Sequence, residues 1–177
     1  MSLRSVPAIA AGAALASTLL PAPATAAGAT TYVDCSALSD GDGSIASPLN
    51  SLSSVNALTL GAGDSVLFTR GSTCRGQLKP KGSGSGGAPI LISAYGDAAD
   101  RVAIDADGAT QAVLLRNSAH LTLDHLDLTA PGDGRTLRRG VYVVADDGGL
   151  LPEVTAGTRH PRRQGLHARD AQPVRLQ

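Results

Sequence analysis

The stretch Ala112–Thr129, AVLLRNSAHLTLDHLDLT, carries a break in pattern that few folds can absorb. Leu121 and Leu123 share one face of a strand under the two-residue alternation of β structure. Continued, that alternation buries His125 and exposes Leu126, yet Leu126 and Leu128 carry the apolar face onward. The phase slips by one residue at Asp124-His125. Such a slip exposes the whole apolar set unless the backbone turns a corner there. A sharp corner calls for positive φ, a region in which His is enriched over most residues. With the apolar run Ala112–Leu115 ahead of it, the stretch reads as strand, loop, strand, corner, strand. That is one coil of a β-solenoid.

Short apolar runs bounded by turn residues surround it. Ser65–Thr69 (SVLFT), Ile90–Ile92, Val102–Ile104 and Gly140–Ala145 (GVYVVA) are strand-like, and Gly76–Pro80 is a further short candidate. Corresponding strand starts at Ile90, Ala112 and Gly140 lie 22 and 28 residues apart, a range typical of stacked supersecondary units. No helical pattern intervenes, which argues against a doubly wound α/β fold. A β-sandwich also uses short, turn-separated strands. The corner inside Leu121–Leu128, which a hairpin does not need, favours the solenoid. Composition agrees: 21 Gly, no Trp, one Phe and three Tyr suit turn-dense β structure built on Val, Leu and Ile.

Before these runs, Ser47-Pro48 resembles a helix start, and Leu49, Leu52, Val55 and Leu58 form one apolar stripe that Gly61 and Gly63 end. A short amphipathic helix here suits the open end of a solenoid, whose first coil otherwise exposes its core and strand edges. An ordinary helix in a mixed domain is the plainer alternative. Ser39–Ser44 (SDGDGS) has D-x-D-G spacing but lacks the rest of a calcium loop, so it reads as a turn. Lys81–Gly87 (KGSGSGG) lacks the order of a phosphate-binding loop and reads as a solenoid loop.

The two ends differ from the middle. Arg4, the small apolar run Val6–Leu20 and the Ala24-Thr25-Ala26 cleavage signal make residues 1–26 a secretory signal peptide, with Ala27 as the mature N-terminus. This run of 15 residues falls short of the roughly 20 that a membrane anchor needs. The expected product is therefore secreted and extracellular, with no membrane association after cleavage. Residues 27–149 form the cap and first coils. Residues 150–177 show no alternation and carry five Arg against two acids, a basic tail. The same composition fits a disordered tail, or residues translated out of frame after Gly149.

Cys35 and Cys74 are the only cysteines, an even number in an exported chain, so one disulfide is expected; two buried free thiols are the alternative. Net charge is zero, which argues against nucleic acid as a partner. Fourteen of the fifteen acids are Asp, leaving Glu153 as the one Glu.

The segments YVDCSALSDGDGS, SPLNSL, GAGDSVLFTRGSTCRGQL, APILISAYG and AVLLRNSAHLTLDHLDLT together resemble the start of secreted bacterial right-handed parallel β-helix proteins of the pectate-lyase-like superfamily. The resemblance covers Thr31 to Asp147. It departs at Leu49, where an aromatic is common, and at His125, a corner usually given to Gly or Asn. It departs most in length, because this chain stops after a few coils. It implies work on an extracellular polysaccharide, uronate-containing polymers among them, by β-elimination or glycoside hydrolysis. Such clefts run along one parallel sheet, where coils repeat every ~4.8 Å. A monomer is expected, no cofactor is specified, and calcium is the metal such enzymes would call for. A non-catalytic β-helix that binds glycan or cell wall is the competing reading.

Elimination from a uronate needs a base and a cation that neutralises the carboxylate, whereas hydrolysis needs two carboxylates about 5–10 Å apart. The acids available are Asp105 and Asp107, Asp124 and Asp127, and Asp146 and Asp147, with Lys79, Lys81, Arg138 and Arg139 the nearest bases in sequence. Asp105-Ala106-Asp107-Gly108 is most simply a turn, and Asp124 and Asp127 are solvent-facing. Asp146-Asp147-Gly148-Gly149 ends a strand, where either a turn or metal ligands fit. His120 flanks the middle strand, and His125 reads as a corner residue rather than a base. Asp146, Asp147 and Arg139 are the substrate- or metal-facing candidates.

Overall fold

The computed structural model describes residues 28–132, 137–146 and 154–157. The expected signal peptide, Asp147 and most of the tail lie outside these residues. In chain order the elements are β1 (Thr30–Val33), α1 (Leu52–Ala57), β2 (Thr59–Leu60), β3 (Ser65–Thr69), β4 (Thr73–Arg75) and β5 (Lys81–Gly82). They continue with β6 (Ile90–Tyr95), β7 (Val102–Asp105), β8 (Gln111–Arg116), β9 (Leu121–Asp124), β10 (Leu126–Thr129), β11 (Arg139–Val144) and β12 (Val154–Gly157).

Every pairing between these strands is parallel. One sheet runs β1-β3-β6-β9-β12, a second β4-β7-β10, a third β8-β11, and β2 pairs β5. Leu78 makes an isolated parallel bridge to Val113 and so extends the third sheet by one rung. Each strand therefore pairs with the strand laid down one circuit earlier. The organising stretch is one such circuit: β8, β9 and β10 each join a different sheet.

Like stacks on like inside. Val66, Ile92 and Leu123 are successive partners in the long sheet, and all three are buried. Cys74 and Ile104 stack the same way in the second sheet, as do Val113 and Val141 in the third. Deleting one such buried aliphatic group typically costs about 2–5 kcal/mol.

The corner at His125 forms as the phase slip requires, with φ at 56°. Its N–H donates to Asp124 Oδ1 at 2.8 Å, and its Nδ1 lies 2.7 Å from Asp124 Oδ2. Among the described residues three further non-glycine positions take positive φ: Asp107 at 48°, Asn117 at 52° and His120 at 51°. The turn at Asp105–Gly108 is closed by Asp107 N–H donating to Asp105 Oδ1 at 2.9 Å.

Cys35 and Cys74 are joined, tying the first circuit to the second across 39 residues with a Cα separation of 5.2 Å. The outer edge of β1 is covered by the loop that follows it. Tyr32 N–H donates to Gly43 O at 2.8 Å, Leu49 N–H to Tyr32 O at 3.0 Å, and Asp34 N–H to Leu49 O at 2.7 Å.

Three sequence expectations need correction. The helix begins at Leu52, with Ser51 as its N-cap accepting from Ser54 N–H at 3.2 Å. Ser47 and Pro48 precede it outside the helix, because Leu49 pairs with the backbone of β1 and pairing outranks the local capping signal. The register places Ile90 beside Leu121, not Ala112, so Ile90 and Ala112 are not equivalent positions. A short apolar run carries no mark of which face it will join. Lastly, Val154–Gly157, expected within a non-repeating tail, pairs in register with β9.

Candidate functional site

The third sheet presents the most distinctive outer surface. Along β8, Val113 and Leu115 point inward and are buried, so Leu114 and Arg116 face out. One rung below, Leu78 bridges Val113, but the chain then leaves the stack: Lys81 and Gly82 pair with Thr59 and Leu60 instead. That divergence opens a groove of about 250 Å³ lined by Lys79, Pro80, Lys81, Gly82, Leu114 and Arg116. Gly82 is required there, since at φ of 103° a Cβ would lie 2.0 Å from Leu60 O. One rung above, Tyr142 is exposed and in register with Leu114.

The lower rung is held by an amide that takes the place of a strand. Asn56, in α1, accepts from Lys79 N–H at 2.6 Å and donates to Gln77 O at 2.9 Å. Gln77 Nε2 in turn donates to the Gln111 side chain at 3.0 Å and to its carbonyl at 3.1 Å. Buried and edge amides need such partners, and the chain of amides fixes the height of Lys79 against β8.

Arg116 Nη1 donates to Asp146 Oδ2. The Asp146 backbone N–H donates to Asn117 Oδ1 at 2.8 Å, and Asn117 N–H to Val144 O at 2.9 Å. Asp146 thus sits beside the groove, paired with its arginine. Arg139 does not join it. It begins β11, seven residues away and about 20 Å along an extended strand, with its guanidinium 4.7 Å from the Tyr142 ring centre. Asp147 lies outside the described residues.

The other candidates disperse. Asp124 is engaged by His125, and Arg138 donates to Gly108 O and Ala109 O, both at 2.9 Å. His120 lines a separate recess of about 130 Å³ with Ser85, Gly86, Pro89, Thr122 and Thr155. Asp40 accepts from Ser54 Oγ at 2.6 Å and Asn50 N–H at 2.8 Å, and these bonds lower its pKa below the ordinary carboxylate value. Asp42 is lowered likewise by the hydroxyl and N–H of Ser44. Both carboxylates are taken up by the protein itself. Among the described residues no three His, Cys, Asp or Glu side chains converge, and with Asp146 facing a guanidinium these residues do not make a calcium site.

The sequence reading named Lys79 and Lys81 only as nearby cations and did not single out Arg116, Leu114 or Tyr142. The signal was there: in AVLLR the residues alternating with buried Val113 and Leu115 face out, and the last of them is a cation.

No protein-family model and no curated protein matches the chain. Among solved structures, the GH136 lacto-N-biosidase from Eubacterium ramulus superposes on 72% of this chain with TM-score 0.62 and 27% identity. A second structure of that protein, in native form, superposes on 63% of this chain with TM-score 0.54 and 28% identity. The pectate lyase Pel9A is more distant, at TM-score 0.49 and 20% identity over 67% of this chain and 31% of its own. This chain spans about a quarter of the lacto-N-biosidase structures, 26% and 23% of their lengths. Among the described residues no helix is long and apolar enough to cross a membrane.

Proposed function

We propose that this chain is the N-terminal stretch of a right-handed parallel β-helix, exported after cleavage at Ala26, that acts as a monomer on an extracellular acidic polysaccharide. The groove beside β8 is its polymer site. The observation that carries this reading is the convergence of Lys79, Lys81 and Arg116 on one groove, with Leu114 in its wall and Tyr142 one rung above. Ammonium and guanidinium groups suit carboxylates, and apolar and aromatic surfaces suit the faces of sugar rings. The likeness to the GH136 lacto-N-biosidase supports carbohydrate as the class of partner and does not bear on its charge.

Of the two reactions, elimination is the one whose charge-neutralising requirement the groove meets. The groove offers cations to neutralise a uronate carboxylate, whereas hydrolysis needs two flanking carboxylates. A second reading, glycan binding without turnover, is favoured by one observation: Asp146, the carboxylate beside the groove, is engaged by Arg116.

The test is incubation of the chain with polygalacturonate and with a neutral galactan, following both binding and release of unsaturated products. Binding to the acid polymer with unsaturated products supports the lyase, and binding without products supports the second reading. Failure to bind polygalacturonate removes the acidic-polymer site, and failure to bind either polymer removes both readings.

A further inference from the structure

Asp146 and Arg116 meet across one rung of the third sheet, at the groove's edge. The contact is constructed rather than incidental. Asn117 holds a left-handed conformation, φ 52°, that lets it bond Val144 O through its own N–H and the Asp146 N–H through Oδ1. The carboxylate is thereby delivered to the guanidinium. The two side chains nevertheless remain 60% and 46% exposed, so the pair is solvated and contributes little to stability. Among the described residues Lys79 and Lys81 have no carboxylate partner, which makes Arg116 the one groove cation already holding an anion.

We infer that Asp146 is a built-in competitor for Arg116, a carboxylate standing where a carboxylate or sulfate of the polymer must bind. This rests on the proposal that the groove takes an acidic polysaccharide. Ligand entry exchanges one solvated ion pair for another, so Asp146 tunes affinity downward and raises the anionic strength a polymer needs to hold on. The role is opposite in sign to that of a catalytic acid or metal ligand, whose loss would abolish function.

The experiment measures the affinity of polygalacturonate for the wild-type chain, Asp146→Asn, Arg116→Gln and the double variant, with thermal unfolding confirming that all four fold. Asp146→Asn is expected to tighten binding about two- to fivefold, the worth of an exposed pair. Arg116→Gln is expected to weaken it about tenfold. In the Arg116→Gln background Asp146→Asn should have no further effect. Tightening of equal size in both backgrounds would mean that Asp146 acts only through its long-range field, and the inference falls. Unchanged or weaker binding by Asp146→Asn also overturns it, with the acidic-polymer reading intact if Arg116→Gln still weakens. No binding by any of the four, wild type included, removes that reading and this inference together.

Discussion

The long sheet and the third sheet are built from the same kind of strand and behave differently. In the long sheet β1, β3, β6, β9 and β12 follow one another without interruption, and buried Val66, Ile92 and Leu123 stack through it. In the third sheet the ladder fails one rung below β8. Leu78 keeps the register, but Lys81 and Gly82 turn aside to β2, and the Asn56 amide stands in for a strand. An unbroken ladder buries side chains and makes scaffold. A broken one leaves a recess whose walls come from two rungs, and here those walls carry cations. The interruption, more than the regular repeat, is what opens the groove that we propose as the polymer site.

The scaffold carries the largest expected losses. Replacing both Cys35 and Cys74 by Ala should cost about 4 kcal/mol, the chain-entropy value for a loop near 40 residues. Ile92→Ala in the long sheet should cost about 3 kcal/mol, whereas Leu114→Ala, whose side chain lies on the groove wall, should cost under about 1 kcal/mol. Denaturant unfolding measures all three. Equal losses at Ile92 and Leu114 would erase the distinction between scaffold and site.

The corner provides a sharper probe. His125 at φ 56° should accept Gly with little change, because Gly adopts that region without steric cost. His125→Val should cost about 1–3 kcal/mol, since a β-branched residue at positive φ is strained. Thermal melts of the two variants should separate clearly. Equal tolerance of both would remove the corner that joins β9 to β10.

The smallest effect concerns the loop over β1. Asp40 and Asp42 have folded pKa values below those of the unfolded chain, so they stabilise the fold above the ordinary carboxylate range. That contribution is lost as pH falls through their lowered values. Melting temperature should drop on acidification below about pH 4, and Asp40→Asn should flatten that drop. An unchanged acid profile in Asp40→Asn would show that the Ser54 and Asn50 contacts do not matter to the fold.

Local chemistry explains what the sequence disclosed and what it hid. β9 and β10 were legible to the residue, because the phase slip at Asp124-His125 leaves only one place for the corner. The disulfide followed from having two cysteines in a chain read as exported. The helix start was misplaced because Ser47-Pro48 carries a good capping signal, while the pairing of Leu49 with β1 is long-range and invisible locally. The equivalence of Ile90 with Ala112 failed for a related reason: three sheets draw on the same Val, Leu and Ile vocabulary. β12 was missed because VTAG is too short and too weakly apolar to show alternation. Among the site candidates, Asp146 meets Arg116 and not Arg139, the neighbour the sequence suggests. Arg139 is close in sequence, whereas Arg116, thirty residues earlier, is adjacent one rung below.

The proposed polymer site depends on the groove cations Lys79, Lys81 and Arg116. Polygalacturonate binding to the wild-type chain and to Lys79→Gln/Lys81→Gln, measured across a salt series, is its most direct test. The prediction is binding that weakens with salt, as screening of exposed charge requires, and a loss of about tenfold or more in the double variant with its fold intact. Undiminished binding by the double variant, or equal binding of a neutral galactan by the wild type, would contradict it.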